Sequence, residues 1–179
     1  MRYDPNKHHR RSIRLKGFDY TREAVYFVTI CTQNGTCLFG EIVNEQMRLN
    51  DVGRVAQMVW KAIPDHFPQV EIDASVVMPN HVHGIISIVG ATHASPPRQS
   101  GPPKGSLGAI VGSYKSAVSR RINQLYRTPG ALVWQRNYYE HIIRNETALN
   151  RLRQYIADNP ARWADDQENP IHYSKKHTS

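Results

Sequence analysis

Two histidines, His81 and His83, stand one residue apart in the stretch VVMPNHVHGII, residues 76–86. In a strand alternate side chains share a face, so both imidazoles would point the same way while Val82 turns into the core. Spaced about 7 Å along one face, they can converge on a single divalent cation. A bare His-x-His is more often a pair of hydrogen-bonded histidines, and a catalytic cation usually takes three protein ligands. A third ligand must therefore come from elsewhere in the chain. Asn159 can offer an amide oxygen, a ligand type that suits Mg²⁺ or Mn²⁺. One helical turn before it stands Tyr155, in the stretch YIADNP. A phenol with an ordinary pKa of about 10 is a poor nucleophile until nearby positive charge stabilises its phenolate. Taken alone, YIADNP reads as a tyrosine at a helix edge and an asparagine closing the helix before proline. Only the conjunction with the histidines gives it chemistry.

The charge distribution suggests what such a centre would act on. The chain has 179 residues and a formal net charge of +8. Between Asp73 and Glu140 there is no carboxylate, while Arg98, Lys104, Lys115, Arg120, Arg121, Arg127 and Arg136 fall inside that stretch. The first sixteen residues add Arg2, Lys7, Arg10, Arg11, Arg14 and Lys16 against Asp4 alone. A solvated basic face is the plain alternative, but charge this uneven points to a phosphate backbone. The two cysteines, Cys31 and Cys37, are too few for a disulfide scaffold or a four-thiolate site and are given no role. No apolar run approaches the ~18 residues needed to span a bilayer, and the N-terminus is basic rather than secretory. A cytoplasmic protein with no membrane partner is expected.

The elements that must position these groups follow from periodicity and turn chemistry. Residues 1–20 read as a basic arm, and AVYFVTICTQ (24–33) as a strand that an Asn-Gly turn at 34–35 would pair with the next. Residues 50–67 carry apolar side chains at helical spacing behind Asn50 as N-cap. VEIDASVVM (70–78) and HVHGIISIVG (81–90) form a hairpin across a Pro-Asn turn. Residues 91–106 hold four prolines and read as an exposed loop, with His93 incidental. A helix is expected over 107–126, a strand over 132–143, and a last helix over 145–160, capped by Asn145 and stopped by Pro160. Leu149, Leu152 and Ile156 make the core face of that helix, and Arg151, Tyr155 and Asn159 lie on a neighbouring face. There are no internal repeats. The order ββ, α, ββ, α, β, α indicates one α+β domain over 21–163, an antiparallel β-sheet flanked by helices, followed by a tail at 164–179.

With MPNHVHGII, VGSYKSAVSRRIN, WQRNYYEHIIRNETALNRLRQYIADNP and the basic opening HHRRSIRLKGFDYTREAVYFVTICT in this order, residues 8–163 resemble the REP-associated branch of the single-tyrosine HUH transposases. The resemblance implies a ferredoxin-like sheet of the HUH nuclease type. It also implies nicking and rejoining of single-stranded DNA at hairpin-associated, REP-type sites in a bacterial cell. His81 and His83 match the family's metal-binding histidines, Tyr155 its nucleophile, and Asn159 the polar residue one turn later.

On this reading the products of attack are a 5′-phosphotyrosine and a free 3′-hydroxyl. Arg10, Arg11, Arg14, Lys115, Arg120, Arg121 and Arg136 would hold the DNA, and Trp134 and Tyr138 are candidates to stack on unpaired bases or to pack in the core. Tyr114, in the basic helix, is the rival nucleophile, but Val118 stands where a ligand would be wanted one turn on. Two other readings stay open: a domesticated, non-catalytic binder of structured single strands, and a metallophosphoesterase with water as nucleophile. An amidohydrolase barrel is excluded, since such barrels need about 200 residues or more. Monomer and homodimer are both compatible with the sequence.

Overall fold

The computed structural model describes residues 23–89 and 102–172. The basic arm with Arg10, Arg11 and Arg14, and most of the Pro-rich loop, lie outside them. The centre is β1 (Ala24–Cys31), whose β-branched and aromatic run AVYFVTIC is buried along most of its length. A strand buried on both faces needs such a run, because neither row of side chains meets water. The sheet has the order β4-β5-β1-β6, with β4 Val70–Val77, β5 His81–Ile88 and β6 Tyr139–Ile143. All adjacent pairs are antiparallel.

Side-chain alternation divides the sheet into two layers. Tyr26, Val28, Ile30, Val82, Ile86 and Ile88 face one side and pack on α1 (Asp51–Lys61) and α3 (Leu107–Tyr126). Phe27, Ile85 and Ile143 face the other and pack on Ile156, Leu149 and Leu152 of α4 (Glu146–Asp158). Each such buried side chain contributes about 1.5–3 kcal/mol of apolar transfer. Gly84 is required on the first side: a Cβ there would collide with the indole of Trp60 on α1. The helix starts are capped as their sequences suggest. Asn50 accepts from Gly53 N, Ser106 from Ala109 N and Asn145 from Ala148 N.

Two expectations are corrected. The Asn-Gly pair does not join β1 to its successor, because residues 33–35 form a 3-10 turn with Asn34 at φ 57°. The strand that follows, β2 (Gly40–Val43), pairs with β3 (Gln46–Leu49) in a separate two-stranded sheet. The turn between them holds Asn44 and Glu45 at φ 50° and 61°, the both-positive geometry that fits a tight hairpin. Glutamate does not announce that geometry. The strand expected over 132–143 is also shorter: Trp134 makes only an isolated bridge to Thr32, and β6 begins at Tyr139. Lys115 Nζ donates to the carbonyls of Gln135 and Arg136, taking acceptors that a continued ladder would use.

Candidate active site

The Pro-Asn turn delivers β5 so that its first residue, His81, sits opposite Cys31 of β1, and His83 opposite Thr29. Both imidazoles project from the face covered by α4. His81 is 0% and His83 3% exposed. Their Nε2 atoms are 3.0 Å apart.

Hydrogen bonds behind the rings set what those nitrogens can do. Asn80 Nδ2 donates to the carbonyls of Gly35 and Glu168, at 3.0 and 2.7 Å. Two carbonyl partners fix that atom as the amide nitrogen, so Asn80 Oδ1 is the acceptor facing His81 Nδ1 at 2.9 Å. His81 Nδ1 therefore carries a proton, and Nε2 is the ring nitrogen that faces His83 and Asp166. Thr29 Oγ1 lies 2.9 Å from His83 Nδ1 and, as a hydroxyl, can take either role. Phe27 stacks on the His83 ring at a centroid separation of 5.3 Å. Burial holds the His83 pKa well below the usual histidine value, the proximity of His81 adds to this, and Asp166 opposes it. The neutral imidazole is the form that ligates a metal.

The structure brings Tyr155 to the same place. Its hydroxyl is 3.4 Å from His83 Nε2, and its ring meets those of His83 and Phe27 edge-on. Helix α4 is held in register by Arg153, which clamps Asp73 of β4 through Nε and Nη2 at 2.6–3.2 Å. Burial raises the Tyr155 pKa above its ordinary value, as does the negative charge of Asp166, against smaller opposing effects of Asn159 and Arg162. Left to these surroundings the phenol stays protonated. A cation beside it would act in the opposite direction.

Asn159, at the end of α4, is 2% exposed and donates through Nδ2 to Asp166 Oδ2 at 3.1 Å. Its Oδ1 is buried and has no hydrogen-bond partner. Asp166 was not among the residues singled out from the sequence, yet its Oδ2 lies 3.9 Å from His81 Nε2. One ligand atom each from His81, His83 and Asp166 falls within 4.8 Å of the others. Two imidazoles and a carboxylate so grouped are a donor set that could hold a divalent cation, and the unpartnered Asn159 Oδ1 is a buried oxygen on the side chain that bonds Asp166. Asp166 reaches it because Pro160 ends the helix and a 3-10 turn, Trp163–Asp165, folds the chain back. Trp163 then lies beside His81, and Glu168 accepts from Cys31 Sγ at 3.4 Å. Asp166 and Glu168, within the segment read as a tail, thus pack against the site.

Other residues expected to bind DNA are placed elsewhere. Trp134 is 6% exposed, packs against Phe39 and Tyr114, and donates from Nε1 to the Lys115 carbonyl. Tyr138 packs against the main core. The Trp134 indole is thus enclosed, while Tyr138 keeps part of its surface exposed. Lys115 is part-buried with its ammonium on two carbonyls. Arg120 and Arg121 are exposed on α3, across the sheet from the histidines, and Arg136 is exposed in the segment leading to β6. The rival nucleophile Tyr114 is 2% exposed and donates to the Ala56 carbonyl. Burial pushes its pKa far up, and it faces the opposite layer.

Fold and site together define an α+β protein with a tyrosine, two histidines and a carboxylate gathered under one helix. No protein-family model matches the chain. An uncharacterized protein of Haemophilus influenzae is 45% identical over 178 residues, covering 93% of this chain and 96% of that one. A second protein of that organism, described as a "Putative REP-associated tyrosine transposase", is 26% identical over 155 residues, 80% of this chain and 74% of its own. Among solved structures, a REP-associated tyrosine transposase bound to a REP hairpin superposes with a TM-score of 0.55 at 19% identity, covering 82% of this chain and 72% of the other. The chain belongs to one family with the first of these proteins, and in sequence and fold it is similar to the REP-associated tyrosine transposases.

Proposed function

We propose that this protein nicks and rejoins single-stranded DNA next to REP-type hairpins, with Tyr155 as the nucleophile and a divalent cation as cofactor. The observation that carries the reading is the Tyr155 hydroxyl at 3.4 Å from His83 Nε2, inside the group formed with His81 and Asp166. The related transposase solved with a REP hairpin supports the choice of DNA as substrate.

His81 and His83 would hold the cation through neutral Nε2 atoms, with Asp166 and the orphan Oδ1 of Asn159 as oxygen donors. When bound, the metal supplies Lewis acidity at the phosphate and lowers the cost of the phenolate. Tyr155 attacks the phosphorus, its Oη–P bond forms, and the bond to the 3′-oxygen breaks. The phenol loses one proton and the departing 3′-oxygen gains one, so the step is proton-neutral. The 5′-phosphotyrosine conserves the cleaved linkage, and a 3′-hydroxyl can reverse the step without ATP. Tyrosine, histidines and carboxylate all come from one chain, which supports a centre assembled within a single copy. Among the described residues no helix is long and apolar enough to cross a membrane. Arg136 and the arginines of α3 and the N-terminal arm are left to hold the DNA backbone.

The test is a labelled single strand carrying a REP-type hairpin, incubated with the protein and Mn²⁺ and run on a denaturing gel. A covalent protein–DNA band that requires the metal is expected. Cut product without such a band would favour hydrolysis by water, and binding without cutting would favour a non-catalytic binder.

A further inference from the structure

Among the exposed large apolar side chains of the described residues there are three aromatics, Tyr126, Tyr139 and Tyr155. Tyr126 closes α3, on the far layer from the histidines, and Tyr155 is the proposed nucleophile. Tyr139 has been given no role. It opens β6, the edge strand, and is 42% exposed.

The register places it. Thr29 of β1 pairs with His83 on one side and with Tyr139 on the other. Residues directly opposite in an antiparallel pair share a face, so His83, Thr29 and Tyr139 form one row across the sheet on the side of the site. Tyr139 is thus two strand spacings, about 10 Å, from the metal-ligating row position. Between them Phe27 joins the rings: it contacts His83 at 5.3 Å, Tyr155 at 6.0 Å and Tyr139 at 6.4 Å, the last at an interplanar angle of 69°. An edge-on contact fixes one rim of the Tyr139 ring and leaves it partly open to solvent. Arg136 stands three residues earlier and exposed, a guanidinium for the adjoining backbone phosphate.

We infer that Tyr139 is the stacking platform for an unpaired base flanking the phosphate that Tyr155 attacks. This rests on the proposed reaction, and it supplies what Trp134, turned into the core, does not. A ring fixed by Phe27 at the edge of the sheet, in line with the histidines, would hold the strand in one register over them. Stacking of this kind tolerates any base, because every base has a π-face.

The experiment uses the full chain carrying Tyr155→Phe, so that binding is read without cutting. Affinity for a 20-nucleotide oligo(dT) is compared for this parent and for the parent with Tyr139→Ala, Tyr139→Phe or Tyr139→Trp. Alanine should weaken binding about 5- to 150-fold, while Phe and Trp should stay near the parent. Parent-like binding by the alanine variant, or a loss with Phe as large as with Ala, overturns the stacking role. A melting curve for each variant checks the fold, and the Phe and Trp variants preserve the test if alanine unfolds the edge. A single abasic position is then moved along a hairpin substrate. The position that weakens the parent but not the alanine variant should adjoin the linkage at which wild-type protein forms its adduct. Any other position overturns the placement. Failure of the wild type to form an adduct, with stacking intact, would count against the proposed reaction alone.

Discussion

The hydroxyl of Tyr155 and the Nε2 of His83 approach within 3.4 Å across 72 residues of chain. That approach is made by two separate devices. The Pro-Asn turn sets the start of β5, and the Asp73–Arg153 clamp sets the register of α4 on β4.

The hydrogen bonds behind the imidazoles are expected to control metal affinity. Asn80→Ala removes the acceptor that fixes the proton on His81 Nδ1, and Mn²⁺ binding should weaken about 10- to 100-fold in calorimetry. Asp166→Ala removes a ligand and should weaken it at least about tenfold. Wild-type affinity in the Asp166 variant would restrict the ligand set to the histidines and Asn159.

Tyr114 is separable from the reaction. Tyr114→Phe deletes a buried hydroxyl that donates to Ala56 O at 3.2 Å, and should cost about 0.5–1.5 kcal/mol in denaturant unfolding. Its adduct yield should match wild type. A lost adduct in a folded Tyr114→Phe protein would reopen the choice of nucleophile.

The legibility of the site in the sequence divides along sequence distance. His81 and His83 are adjacent in chain and pattern, and Asn50, Asn145 and Pro160 mark their helices through local chemistry. The sheet face shared by the histidines followed from strand alternation alone. Asp166 and Asn80 did not stand out, for physical reasons. Asp166 reaches the centre only because the chain reverses after Pro160, a reversal set by tertiary contacts of Trp163 and Glu168. Asn80 reads as a turn residue, and its second use appears only when Gly35 and Glu168 are brought to its amide. The sequence left Trp134 open between stacking and packing for a related reason: one indole looks alike in a core or on a surface until Phe39 and Tyr114 are seen to enclose it.

The clamp on α4 carries a pH signature. The Arg153 guanidinium hydrogen-bonds Asp73 and holds its carboxyl below the usual aspartate range. A carboxyl whose folded pKa is depressed stabilises the fold above its unfolded value, about 3.9, and loses that contribution as pH falls through the lower folded value. Asp73→Asn should therefore melt below wild type from about pH 5 to 8, and the gap should close in acid. A gap that persists unchanged to the lowest pH at which both fold would show that the pair does not act through charge.

The central claim is the identity of the nucleophile, and peptide mapping of the covalent product tests it most directly. Trypsin should release the DNA remnant on the peptide spanning residues 154–162, QYIADNPAR, with the nucleotide on Tyr155. A remnant on Tyr114, Tyr126, Tyr138 or Tyr139, or an adduct that survives Tyr155→Phe, would contradict the account.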